Sequence, residues 1–215
     1  LNRFALVFAT HPAEGLAEGW NRFWDSLANQ APVVERQADV ELPVFFDVCT
    51  AESRGHDELA SQIEKHCLGG LILVGRPDLM QMKLLRNAPL PKVAIYGGPE
   101  MPRVPRLVID HESFVRKSLD HLCARGAQRV AVLSNNSDRW EEFYEAISRR
   151  GLQSKPFWCL AGTDAGVVPI VRLLFDRDNA CVPDALVITD DNIVEYALAG
   201  LMESGVRVPE DVSVV

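Results

Sequence analysis

One pattern constrains this chain more than any other. Short continuous apolar runs alternate with stretches of helical period from near the N-terminus to the last residue. The clearest instance is Pro183–Val215. Ala185–Ile188 is apolar at every position, as a strand covered on both faces must be, whereas a half-exposed strand alternates. Thr189, Asp190 and Asp191 stand where that strand should end. Ile193, Val194, Ala197, Leu198, Leu201 and Met202 then recur at helical spacing, and Gly205 occupies a C-cap position. Val212–Val215 opens the next apolar run. The order is strand, helix, strand: a β-α-β unit with polar groups at the mouth of its first strand.

The same unit recurs along the chain. Strands are expected at Phe4–Ala9, over the alternating Val40, Leu42, Val44 and Phe46 to Asp47, and at Leu71–Val74, Val93–Tyr96 and Leu107–Ile109. Further strands are expected at Val130–Leu133, Phe157–Leu160 and Ala185–Ile188. Helical faces fall between them: Leu16 to Leu27, a weaker one with Leu59 and Ile63, a short one over Asp78–Arg86, then Phe114 to Leu122, Trp140 to Ile147 and Val167 to Leu174. Strand and helix in alternation call for parallel sheets with helices on both faces. A passage rich in glycine and proline, Gly97–Pro105, precedes a fresh start after Ile109. The expectation is an α/β chain of two lobes, 1–109 and 110–215, each of ordinary domain size at about 100 residues.

Charge and cysteine usage narrow the function classes. The formal net charge is −8, and an acidic surface repels a phosphate backbone, so this chain by itself is a poor nucleic-acid binder. No apolar run approaches the roughly 20 residues that span a bilayer, and Phe4–Ala9 is too short for the apolar core of a signal peptide. Cys49, Cys67, Cys123, Cys159 and Cys181 are odd in number and scattered. They read as packing thiols in a reducing cytoplasm, with no disulfide framework and no zinc site. No membrane partner, metal or cofactor is expected.

Open parallel sheets bind their ligands beyond the carboxyl ends of the strands. Thr10, His11, Asp47, Arg76, Asp110, His111, Asn135, Asn136, Thr189 and Asp190 are expected there. Carboxylates and amides dominate this set, which suits the ringing of a polyhydroxylated small molecule with hydrogen bonds. The chain has no G-x-S-x-G elbow, no G-x-x-x-x-G-K-[ST] loop, no G-x-G-x-x-G fingerprint and no H-E-x-x-H or C-x-x-C pair. His11 and Asp110 could form an acid–base pair, but no nucleophile or leaving group is placed beside them. The reading is a binding protein, not an enzyme.

The run Gly205-Val206-Arg207-Val208-Pro209-Glu210-Asp211-Val212-Ser213-Val214-Val215 is similar, almost letter for letter, to a segment of the effector-binding domain of bacterial LacI/GalR-type transcription regulators. Val108-Ile109-Asp110 resembles that family's crossover, and Gly126–Leu133, Gly69–Leu73 and Pro91–Ile95 resemble three of its strands. The likeness spans most of the chain and is specific only at its C-terminal end; residues 1–60 follow by pattern alone. It implies a periplasmic-binding-protein-like fold of type I, with a C-terminal lobe left incomplete because the family continues beyond the position of Val215. It also implies that the family's helix-turn-helix is absent.

By this resemblance, a small-molecule effector, a sugar or sugar derivative, binds in the cleft between lobes and modulates DNA binding. Operator DNA would be reached only through the absent N-terminal domain, which could also be of GntR or AraC type. The chain would be a homodimer, with the helix Asp191–Glu203 at the dimer contact. Asp110 matches a crossover aspartate at the effector cleft, and the alternative is a helix N-cap. Arg139 matches an effector-binding arginine, although Glu142 replaces a glycine of that motif; the alternative is a surface ion pair. Asp190 stands where many members have an effector-binding asparagine, and Asp164 where relatives place a stacking aromatic; a helix N-cap is open for both. With Thr10, His11 and Asp47 from the strand ends, these complete the candidate ligand-binding set. Trp20 and Trp24 read as core or subunit interface and Trp140 as core, while Trp158 or Phe46 could stack on a sugar. The competing readings are a periplasmic-type sugar-binding receptor of a transport system and, third, an enzyme on a doubly wound fold.

Overall fold

The computed structural model describes residues 2–11, 21–50, 52–74, 79, 82–96, 103–135, 140–176 and 178–215; for 21, 22 and 164 it describes the backbone alone. The chain divides into two compact units, Leu1–Ile109 and Asp110–Val215.

In the first unit the order is β1 (Phe4–Phe8), α1 (Asn21–Ala38), β2 (Val44–Phe45), α2 (Arg54–Glu64), β3 (Gly70–Val74), α3 (Lys83–Asn87), β4 (Lys92–Ile95) and β5 (Arg106–Leu107). The strands form one parallel sheet in the order β2-β1-β3-β4-β5. Side chains of a strand point alternately to the two faces, and β1 shows why its run is apolar throughout. Ala5, Val7 and Ala9 join Leu59 of α2 and Leu85 of α3 in one core. Leu6 and Phe8 join Trp24 and Ala31 of α1 in the other.

Several elements depart from the sequence expectation. The strand expected to reach from Val40 to Asp47 is paired as a strand only at Val44 and Phe45. Pro43 has no N–H to give a ladder, and it contributes only its carbonyl, which accepts from the Leu6 N–H at 3.0 Å. Helix α1 continues beyond Leu27 and through Pro32 to Ala38, because Ala31 extends the buried face. The expected start of that helix, with Leu16 and Trp20, lies outside the described residues. Strand β5 ends at Leu107, and Val108 and Ile109 follow it exposed, at 56% and 51%.

The second unit runs α4 (His111–Ala124), β6 (Val130–Ser134), α5 (Trp140–Arg149), β7 (Cys159–Ala161), α6 (Val167–Leu174), β8 (Ala185–Ile188), α7 (Val194–Glu203) and β9 (Ser213–Val214). Its parallel sheet has the order β7-β6-β8-β9. Val130 and Val132 of β6, with Ala185 and Val187 of β8, pack on α4 and α5. Ala131, Leu133, Leu186 and Ile188 pack on α6 and α7. Both sheets therefore carry helices on both faces. The strand expected from Phe157 starts only at Cys159, because Pro156–Trp158 forms a 3-10 turn with proline in its first turn.

A carboxylate pins the amino end of the β6–β8 pair. Asp184 Oδ1 accepts from the Gln128 and Arg129 backbone N–H groups at 2.9 and 2.8 Å, and Oδ2 from Arg129 Nε at 3.1 Å. Between α6 and α7 the backbones nearly touch at Gly200, where an added Cβ would lie 2.8 Å from Val171 Cβ and 2.9 Å from the Val168 carbonyl oxygen. Neither partner is a flexible side-chain end, so the helices themselves would have to part. Gly200→Ala is expected to destabilise the second unit by about 1–3 kcal/mol through overpacking; urea denaturation of wild type and variant reads it as a lower midpoint.

Candidate functional site

In the first unit the loops after β1 and β2 are tied together by one side chain. The His11 backbone N–H donates to Asp47 Oδ1 at 2.6 Å. Asp47 leaves β2 in the left-handed region at φ 58°, and its carbonyl accepts from Ser53 Oγ at 2.7 Å. Ser53 in turn caps α2, accepting from the His56 N–H at 3.1 Å. The His11 ring lies 4.5 Å from that of Phe46, which lies 5.1 Å from Phe8. Gly55 is required beside it, since a Cβ there would sit 1.8 Å from the Phe46 carbonyl oxygen. Thr10 is exposed, His11 and Asp47 half-buried. The structure thus brings His11 and Asp47 together, with the Asp47 carboxylate committed to the backbone.

A second aromatic group stands in the same unit, at a residue that the sequence alone does not mark. Tyr96, the residue after β4, has φ 72°, a conformation that L side chains rarely adopt and that the surrounding packing must hold. Its ring meets Trp24 edge-on at 5.6 Å and Phe23 at 5.9 Å. Phe23 is 42% exposed while Trp24 is buried. The available signal in the sequence is the adjacent Phe23 and Trp24 on one helical face, of which Trp24 reads as core or subunit interface. Arg76, expected nearby, lies outside the described residues.

In the second unit, β6 and β8 are neighbours in register, Leu133 beside Ile188. The helix after β6 packs on one face of the sheet and the helix after β8 on the other. The chain therefore leaves these two strands in opposite directions, which opens the crevice where doubly wound sheets take ligands. Asn135 and Asp190 meet there. Asp190 Oδ1 accepts from the Asn192 backbone N–H at 2.8 Å and from Asn192 Nδ2 at 2.9 Å. Asp190 Oδ2 accepts from Asn135 Nδ2. All three residues are half-buried. Asp190 is thus an N-cap of the 3-10 turn Asp191–Ile193 and a bridge between two strand ends.

The remaining candidates separate. Asp110 is exposed and caps α4, its Oδ1 accepting from the Ser113 N–H at 2.9 Å. That bond, chiefly, holds its carboxyl below the usual carboxylate range. Asp164 begins a 3-10 turn. Arg139 and Asn136 lie outside the described residues, as does Trp20. Trp158 is not available for stacking on a sugar: it is 1% exposed, in the core beneath α6 and α7. Its strand never forms at that position, so the ring turns inward.

Among the described residues no group of three or more His, Cys, Asp or Glu side chains could hold a metal ion. The cysteines form no disulfide among the described residues, and burial pushes the Cys159 thiol up, away from the reactive thiolate. Among the described residues no helix is long and apolar enough to cross a membrane. An open cavity of about 520 Å³, lined by Asn2, Arg3, Asp39, Val40, Glu41, His66 and Cys67, lies at the amino ends of the strands. That is the opposite end from the one where such sheets bind ligands.

Residues 119–215 match the family of periplasmic binding protein-like domains. Among curated proteins, the chain is 26% identical over 142 residues to the HTH-type transcriptional repressor PurR of Aliivibrio salmonicida, covering 62% of this chain and 42% of that protein. It is 30% identical over 177 residues to the HTH-type transcriptional regulator CelR of Thermobifida fusca, covering 72% of this chain and 51% of that protein. The chain thus spans about half the length of the curated relatives it matches. Among solved structures, a complex of the transcriptional regulator CelR with cellobiose superposes with a TM-score of 0.67 at 24% identity, over 100% of this chain and 66% of that one.

Two measurements separate the roles of the first-unit and second-unit aspartates. Asp47→Ala removes the acceptor for His11 and leaves a side chain ill suited to φ 58°, so a loss of about 1–3 kcal/mol is expected in urea denaturation. Asp47→Asn, which tolerates that backbone and still accepts, should stay close to wild type. For Asp110 the folded carboxyl is the more acidic one, so its contribution is present above the unfolded carboxylate range and is lost as the pH falls through the lowered folded value. Asp110→Asn keeps the cap; its denaturation midpoint should fall less than that of wild type between neutral and acid pH.

Proposed function

We propose that the chain, whose residues 119–215 match the periplasmic binding protein-like domain and which is similar to HTH-type transcription regulators, is the effector-sensing part of a cytoplasmic LacI-family transcription regulator. A small uncharged molecule, a sugar or sugar derivative, binds at the carboxyl ends of the strands and alters the grip of an attached DNA-binding domain on its operator. The observation that carries this reading is the meeting of Asn135, Asp190 and Asn192 at the switch point of the second sheet, where a ligand-binding function places its polar groups. The likeness to a regulator solved with cellobiose supports a sugar as the effector class. The names of the curated relatives, repressors and regulators of transcription, support a regulator over a transport receptor and over an enzyme.

In the first unit, the rings of Phe23 and Tyr96 supply the flat apolar faces that pyranose rings stack on, and the His11–Asp47 loops supply polar groups. Symmetric pairing of the chain suits the reading of paired operator half-sites. Helix α7 offers exposed Leu198 and Met202 to such a contact, at 38% and 78% exposure.

Binding stabilises the native state by mass action, about 2.7 kcal/mol at a hundredfold excess over Kd. The chain should therefore melt at a higher temperature with one member of a panel of mono- and disaccharides, cellobiose included, and calorimetric titration should give a saturable heat without turnover. No shift with any saccharide would sink the sugar reading; release of a reaction product would overturn the assignment as a binding protein.

A further inference from the structure

The carboxylate at the switch point is already engaged. A carboxylate accepts hydrogen bonds and offers about four acceptor positions; Asp190 has three of them taken, by the Asn192 N–H, Asn192 Nδ2 and Asn135 Nδ2. The orientation of a side-chain amide is ordinarily open, because its oxygen and nitrogen look alike. Here chemistry settles it. Turning either amide over would set a carbonyl oxygen against a carboxylate oxygen, two acceptors with no proton between them. Asp190 therefore holds both NH₂ groups toward itself and turns both amide oxygens away.

Those oxygens have no partner among the described residues. The bonds of Asn135 and Asn192 given above leave Oδ1 of each unused. The buried side-chain atoms without a partner are, among the described residues, Arg3 Nε and Trp140 Nε1, so neither amide oxygen is a buried orphan; both reach solvent. They stand at the end of the β6–β8 pair, where the chain departs to opposite faces of the sheet.

We infer that Asp190 is a positioning residue, whose carboxylate turns the amides of Asn135 and Asn192 so that their carbonyl oxygens accept hydrogen bonds from the ligand. This rests on the ligand-binding reading above and specifies it. The site asks for a ligand with at least two hydrogen-bond donors, hydroxyl or N–H, at that end. It repels groups that only accept, and the carboxylate behind the amides adds a negative charge. The hydroxyls of a neutral sugar meet these terms, whereas a phosphate or carboxylate group presented to that end does not. Asn135 is separated from Asp190 by 55 positions, so its orientation reports on the bridge and not on the local turn.

The test uses the side-chain amide signals of the ¹⁵N-labelled chain, assigned by Asn135→Ser and Asn192→Ser. In wild type the Asn135 and Asn192 NH₂ signals should lie apart from those of solvent-exposed amides and exchange slowly. Asp190→Asn keeps the N-cap, because asparagine caps as well as aspartate, and the chain should remain folded. Its carbonyl oxygen must stay on the Asn192 N–H to cap the turn, so its NH₂ faces Asn135. The Asn135 amide then turns over, and its NH₂ signals move to the exposed position while those of Asn192 stay. An Asn135 signal unchanged in Asp190→Asn overturns the inference, whether or not any ligand binds. With cellobiose as probe, the same variant should bind at least about tenfold more weakly than wild type, the loss of one or two hydrogen bonds; equal binding also overturns it. If wild type binds neither cellobiose nor any other saccharide of the panel, the functional reading fails, and the amide signals alone decide the role of Asp190.

Discussion

Parallel pairing of β6 with β8 is the constraint on which the second unit depends. Two strands separated by more than fifty positions lie in register from Val130 beside Ala185 to Leu133 beside Ile188. Parallel strands cannot be joined by a tight turn, so each must be followed by a crossover that packs back on the sheet. The four apolar residues of β8 are divided between two cores, and that division requires α4 and α5 on one side and α6 and α7 on the other. The helices are where they are because the strands bury both faces. The polar crevice is where it is because the helices then depart to opposite sides.

This hierarchy explains what could be read from the residues alone. Phe4–Phe8, Val130–Ser134 and Ala185–Ile188 were legible because burial on both faces leaves no polar position in the run. Val40–Asp47 misled, because its alternation looked like a strand while Pro43 removed a donor from the ladder. Phe157 and Trp158 misled for a related reason: Pro156 starts a 3-10 turn, which leaves Phe157 exposed and buries Trp158. Leu107–Ile109 has the composition of a strand, but pairing stops at Leu107.

The candidate site was legible in its positions and not in its bonds. Strand ends pointed to His11, Asp47, Asn135 and Asp190, because topology alone places ligands there. What the order of residues could not show is which of these groups satisfy one another. Asp47 accepts from the His11 backbone and Asp190 from the Asn135 amide, and both partnerships join loops that follow different strands. Asp110 was weighed between a cleft contact and a helix cap, and its bond to the Ser113 N–H shows the cap. Tyr96 reads in the sequence as the last residue of a strand; its positive φ, invisible there, accompanies a ring set edge-on to Trp24.

The two ends of the β6–β8 pair are fastened in the same way. Asp184 clasps Gln128 and Arg129 at the amino end, and Asp190 clasps Asn135 at the carboxyl end. Bringing these distant segments together costs chain entropy that grows only with the logarithm of the loop length, and that cost falls on the first contact to form. Once Asp184 has closed the loop and the strands have zipped, the bridge at Asp190 closes no new loop. It can open and re-form at the polar end while the amino end keeps the segments together. The pair is thus pinned at one end and latched at the other, and the latch stands at the carboxyl ends of the two strands.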